Sequence, residues 1–100
     1  MTVANEEHLE LLRQGIASWN EWREKNRALL QDLRDADLSE ELLDTANLSY
    51  SNLTNAQLVG AILLRANLKG AIFANANLGR ARFTNSTLTF LFEEGFVQWQ

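Results

Sequence analysis

The feature that most limits what this chain can fold into is a beat of five residues. In AILLRANLKGAIFANANLGRARF, residues 61–83, Ala returns at every fifth position and Leu or Phe follows each Ala by two. A helix repeats every 3.6 residues and a strand every two, so neither explains the spacing. A fixed period of this kind dictates the architecture of the whole segment that carries it. With the large residue of one unit at Leu38, the series continues through Leu43, Leu48, Leu53, Leu58, Leu63, Leu68, Phe73, Leu78, Phe83 and Leu88. Two positions ahead of each stand Ala36, Glu41, Ala46, Ser51, Ala56, Ala61, Ala66, Ala71, Ala76, Ala81 and Ser86, all small except Glu41.

Such a unit makes physical sense as one flat side of a coil that turns a corner after every unit. Alternation along a strand sends residues two apart to the same face. The small and the large residue then point inward, the residue between them points outward, and two residues remain for the corner. The unit ELLDT, residues 41–45, breaks the rule, because it puts a carboxylate at the inward small position and Leu42 outward. An unpaired charge in an apolar core is costly, so the coil is expected to be irregular or open around Glu40–Asp44 and regular from Ala46.

The units ANLSY, ANLKG and ANLGR, with looser SNLTN, AQLVG and AIFAN, resemble the A(D/N)LXX pattern of the pentapeptide repeat family over residues 36–90. The resemblance implies an all-β solenoid, a right-handed quadrilateral β-helix with four units per coil and fewer than three coils. Inward residues would stack in columns twenty apart: Leu38, Leu58 and Leu78; Leu43, Leu63 and Phe83; Leu48, Leu68 and Leu88; Leu53 and Phe73.

Solenoid ends expose an apolar cross-section and need caps. Residues 1–35 read as an N-terminal α-helical cap. Asn5 is the expected N-cap, Glu6 and Glu7 suit the helix dipole, and Leu9, Leu12, Ile16, Trp19 and Trp22 recur at spacings of three or four. Gly15 within that stripe marks a kink or a close approach. LLRQGIASWNEWREKN resembles a leader that precedes the repeats in some bacterial, notably cyanobacterial, members. Membrane-surface helices favour Lys and Arg on the polar face, whereas residues 6–24 hold five acids against two bases, so the Trp stripe is assigned to packing on the first coil. Residues 91–100, with Leu91, Phe92, Phe96, Val97 and Trp99, form an apolar tail that either folds over the last coil or joins two open ends in a homodimer.

Charge divides the chain. Of the thirteen acids, eleven lie between Glu6 and Asp44, and from Thr45 to Phe92 the only charges are Arg65, Lys69, Arg80 and Arg82. These four form a candidate basic patch, but on a net-acidic chain without stacking aromatics they are a thin footprint for nucleic acid. Some pentapeptide repeat proteins act on topoisomerases such as gyrase by resembling DNA. That alternative needs an acidic face, which the clearest repeats lack.

Reaction chemistry finds little to work with. There is no Cys, and His8 is the only His, expected to be solvated at the start of a helix. The acids of DLRDADLSEE lack the Gly and terminal Glu of a calcium loop and read as a solvated collar. No cofactor, metal or membrane partner is expected, and a cytoplasmic, non-enzymatic module that binds a protein partner is the reading that requires no missing part. Its surface is given by the outward positions. Most are polar, and the exceptions Leu42, Val59, Ile62, Leu64 and Ile72 form the candidate interaction surface, the alternative being that the N-terminal helix or the tail lies over them.

Overall fold

The computed structural model describes residues 5–84, 86, 87, 90 and 91. Asn5 accepts from the N–H groups of Glu7 and His8 and opens α1, Glu6–Arg13. The helical stripe then breaks. Gly15, at φ +130 and with open space where a Cβ would sit, separates α1 from α2, Ile16–Lys25. Gly15 is thus a kink between two helices and not a point of close packing. Leu12 and Trp19 are buried, and Leu9, Leu11, Ile16 and Trp22 pack against the same core.

From Asp32 onward the chain returns upon itself every twenty residues. Parallel bridges join Asp32 to Asn52, Asp37 to Gln57, Leu42 to Ile62 and Asn47 to Asn67, and each column continues with Ile72, Asn77, Arg82 and Thr87 respectively. The backbone bonds alternate as a parallel ladder requires: Leu38 N–H donates to the Gln57 carbonyl at 2.7 Å, and Gln57 N–H to the Ala36 carbonyl at 2.9 Å. Continuous strands are sparse. Only β1, Ala71–Ile72, and β2, Phe90–Leu91, extend beyond one bridged residue among the described residues, because each side holds so little chain between corners. They pair in parallel as Ala71 with Phe90 and Ile72 with Leu91, nineteen residues apart, so the register shortens by one after Thr87.

Each corner is a β-turn. The N–H of the next small residue donates to the carbonyl of the preceding large one, as from Ala36 to Leu33 and from Ala56 to Leu53. The residue before it is left-handed at every corner from Asp35 to Arg80. Asn and Gly visit that region easily, and Asn55, Gly60, Gly70 and Asn75 occupy it here. Thr45, a β-branched residue at φ 61, is the least suited. At Gly70 a Cβ would come within 2.5 Å of the Tyr50 ring from the coil before, so that corner requires glycine twice over.

Inside, the columns are those that four units per coil imply. Leu38, Leu43, Leu48, Leu53, Leu58, Leu63, Leu68, Phe73 and Leu78 are all fully enclosed, as are most of the small residues beside them. Leu88 and the tail beyond Leu91 lie outside the described residues.

Two expectations are corrected. Leu33 is fully buried and Asp32 carries the first bridge, so the ladder begins one unit ahead of Ala36. That unit was masked in the sequence because Gln31 takes the small position, where its buried amide donates to the Leu29 carbonyl. The coil is also regular through Glu40–Asp44, with Leu43 N–H bonded to Ile62 at 2.7 Å and Thr45 N–H to Leu64 at 2.9 Å. Glu41 lies in the first coil, and its side chain stays half-exposed at the edge of the stack. The penalty of burying its charge never arises.

Candidate interaction face

The outward positions have their own logic. In units that carry Asn or Asp between the small and the large residue, that side chain accepts from the backbone N–H two residues on: Asp37 from Ser39, Asn47 from Ser49, Asn52 from Thr54, Asn67 from Lys69 and Asn77 from Gly79. This local bond braces the corner. Leu42, Ile62 and Ile72 occupy the same position and cannot make it. At each, about 0.5–1.5 kcal/mol of net hydrogen bonding is given up for an apolar outward group.

The structure brings some of the candidate residues together and separates others. Leu42, Ile62 and Arg82 form one bridged column, and Leu64 lies two residues beyond Ile62 on the same side. Leu42 is 72% exposed; Ile62 and Leu64 are half-buried. Val59 belongs to the side before. Ile72 lies in the Asp32–Asn52 column, half a coil away from Ile62, so it does not extend the cluster. The hydrogen bonds from α1 and α2 go to Asp32, Asp37, Thr45, Asn47 and Ser49 of the first coil. Leu29 and Leu30 in the linker and Tyr50 at a corner are further exposed apolar groups, which the repeat pattern does not point to.

The four bases do not form one patch. Arg65, Arg82, Leu64 and Thr84 line a shallow depression. Arg80 stands at the corner that leads into this side, and Lys69 lies on the next side around. No ion pair engages any of the four among the described residues.

A second polar constellation, which the sequence reading missed, ties α2 to the first coil. The Trp19 indole N–H donates to the Asn47 carbonyl at 2.7 Å. Asn20 bridges Thr45 O and Asn47 N–H at 3.0 and 2.8 Å. Arg23 is buried, donates to Asn47 O and Ser49 O at 2.8 Å each, and reaches the hydroxyls of Ser49 and Ser51. Burial lowers its pKa from the usual guanidinium range. Arg23 sits four residues after Trp19 on the apolar stripe, and that placement was the signal that it faces inward.

Nor is His8 merely solvated. Its ring lies 5.0 Å from that of Trp22, and Nδ1 accepts from the Asp32 N–H at 3.2 Å. The acidic collar is likewise partly engaged. The Arg34 side chain, 2.8 Å from both carboxylate oxygens of Asp32, holds that carboxyl below its usual range, and the Ser39 N–H does the same for Asp37. Among the described residues no three acids or imidazoles converge as a metal site would need, and no helix is long and apolar enough to cross a membrane.

The family model for pentapeptide repeats, in 8 copies, matches residues 32–63 and 61–91, more than half of the chain. The chain belongs to the pentapeptide repeat family. Comparison with curated proteins and with solved structures returns no match. In this pentapeptide repeat chain the family match starts at Asp32, where the ladder starts.

Proposed function

We propose that this pentapeptide repeat protein is a non-enzymatic structural or protein–protein interaction module. Its repeats wind as a right-handed four-sided β-helix, its helices cap the first coil, and the side carrying Leu42, Ile62 and Leu64 meets a partner. One observation carries the reading: on that side the corner-bracing Asn or Asp is replaced by exposed or half-exposed aliphatic groups in two successive coils. Outward Leu and Ile contribute nothing to the core, whereas a partner that buries them gains roughly 25 cal/mol per Å² of apolar surface.

The test is a pull-down with wild type beside an Ile62→Asp/Leu64→Asp variant, with circular dichroism and a denaturation midpoint for each. A folded variant that loses a captured protein supports the reading. A folded variant that retains every captured protein removes this side from consideration, and an unfolded one assigns both residues to the core.

A further inference from the structure

The same side of the coil is graded in charge along the stacking axis. Its first coil carries Glu40, Glu41 and Asp44, its middle coil carries Ile62 and Leu64 with Arg65 at the far corner, and its third carries Arg80 and Arg82. The corner column reads Glu40, Gly60, Arg80, and the Glu40 side chain leans over Gly60, 3.3 Å from where a Cβ would be. The outward column reads Leu42, Ile62, Arg82. Among the described residues none of these six charges is in an ion pair, although Glu21 with Lys25, Glu24 with Arg27 and Asp32 with Arg34 are paired elsewhere. Acid, apolar and base thus follow one another over three coils on one flat surface.

From this geometry, and resting on the interaction reading above, we propose that the occupant of this side is a second copy of the chain, laid face to face with its coil axis reversed. The two-fold axis runs along the strands of the middle coil, close to Ile62 and Leu64. Such an interface is self-complementary. Ile62 meets the partner's Ile62, Leu64 meets the partner's Leu64, and Glu40 stands opposite the partner's Arg80. Arg82 covers the partner's Leu42, within reach of its Glu41 and Asp44. Parallel alignment of the axes would set acid on acid and base on base, so charge selects the antiparallel arrangement.

Size sets the strength. Three coils about 4.8 Å apart with flat sides roughly 10 Å long make a small face, well inside the class of interfaces that bury less than about 1,200 Å² and associate weakly. A dissociation constant on the order of 100 µM is expected, weakened by salt because the rim charges are exposed.

Sedimentation equilibrium of the full chain across that range, at low and high salt, tests the proposal. Three variants accompany it: Ile62→Asp, Arg80→Glu/Arg82→Glu and Glu40→Arg/Asp44→Arg. Each charge variant alone has a face of one dominant sign and is expected to associate at least about tenfold more weakly than wild type. Mixed in equal amounts, the two become complementary and regain association, which a loss of folding could not produce. A monomeric wild type at the top of the range, association untouched by the charge variants, or a mixture that stays monomeric each overturns it. Should wild type be monomeric while Ile62→Asp/Leu64→Asp still loses a captured protein, the dimer fails and the interaction module stands.

Discussion

The coil and its helical cap hold themselves together by opposite means. In the coil, inward side chains recur at a twenty-residue register, with a neighbouring coil on one side or, in the middle coil, on both, so the information is redundant and the energy is spread over many equivalent leucines. In the cap, a few unlike side chains make the contact and none is repeated along the chain. Arg23 donates to the carbonyls of Asn47 and Ser49, the Trp19 indole shares the Asn47 carbonyl with it, and Asn20 bridges one carbonyl and one N–H. Damage to the coil should therefore scale with volume removed, and damage to the cap with the hydrogen bonds left unmade.

The largest effect belongs to the middle coil. Leu58→Ala, with coils packed on both sides, is expected to lower stability by about 2–5 kcal/mol, the range for a large-to-small change at an enclosed site. Chemical denaturation measures it. A loss no greater than that of an exposed Leu42→Ala would erase the contrast between the inward and outward columns.

Arg23→Met comes next. It keeps most of the buried length, strands the Ser49 carbonyl and leaves the Asn47 carbonyl with the Trp19 indole as its remaining side-chain donor, with an expected loss of about 1.5–3 kcal/mol. Amide exchange should quicken in α2 and the first coil while the middle coil stays protected. Uniform exchange across the chain would mean that cap and coil open as one unit.

Trp19→Phe retains an aromatic ring but removes the indole donor and part of a fully buried side chain, so about 1–2 kcal/mol is expected from the same denaturation series. At the corners the sign reverses. Thr45→Asn places the residue found at Asn55 and Asn75 into a left-handed turn that a β-branched side chain resists, and a gain of about 0.5–1 kcal/mol in unfolding free energy is expected.

The smallest effect is a pH dependence of the seam between cap and coil. Asp32 and Asp37 both have folded pKa values below those of an unfolded chain, through bonds from Arg34 and Ser39 respectively. Their contribution is therefore fully present above the ordinary carboxylate range and is lost as pH falls through the lowered folded values. Thermal melts at descending pH should show a shallow decline that Asp32→Asn flattens. An unchanged slope in that variant would assign the decline to other carboxylates.

The period made the coil legible, because every unit restates it: the corners and the inward leucines follow from spacing, and the columns twenty apart follow once the family resemblance supplies four units per coil. Where a unit departed from the pattern, spacing was a poorer guide. Gln31 hid the first side of the coil, since nothing in a glutamine announces that its amide is buried. Glu41 was read as a breach, yet its place in the first coil leaves the carboxylate an exit to water. The outward Leu42, Ile62 and Leu64 are visible as exceptions on one side with Ile72 on the fourth, and the bridges add that this fourth side lies half a coil from Ile62. Arg23 and Asn20 were unreadable as functional groups because their partners are backbone carbonyls and amides, which every residue possesses.

The bonds from the cap decide where the ladder stops. Among the described residues, Asn5 and His8 occupy the Asp32 rung, Arg13 the Asp37 carbonyl, and α2 the Asn47 and Ser49 positions, which leaves Leu42 as the bridge residue of the first coil without a donor or acceptor above it. A lone rung offers an incoming strand nothing to zip along. The molecule is thereby blunted at this end against templating copies of itself into a growing fibre, a hazard intrinsic to any stack of open β-edges.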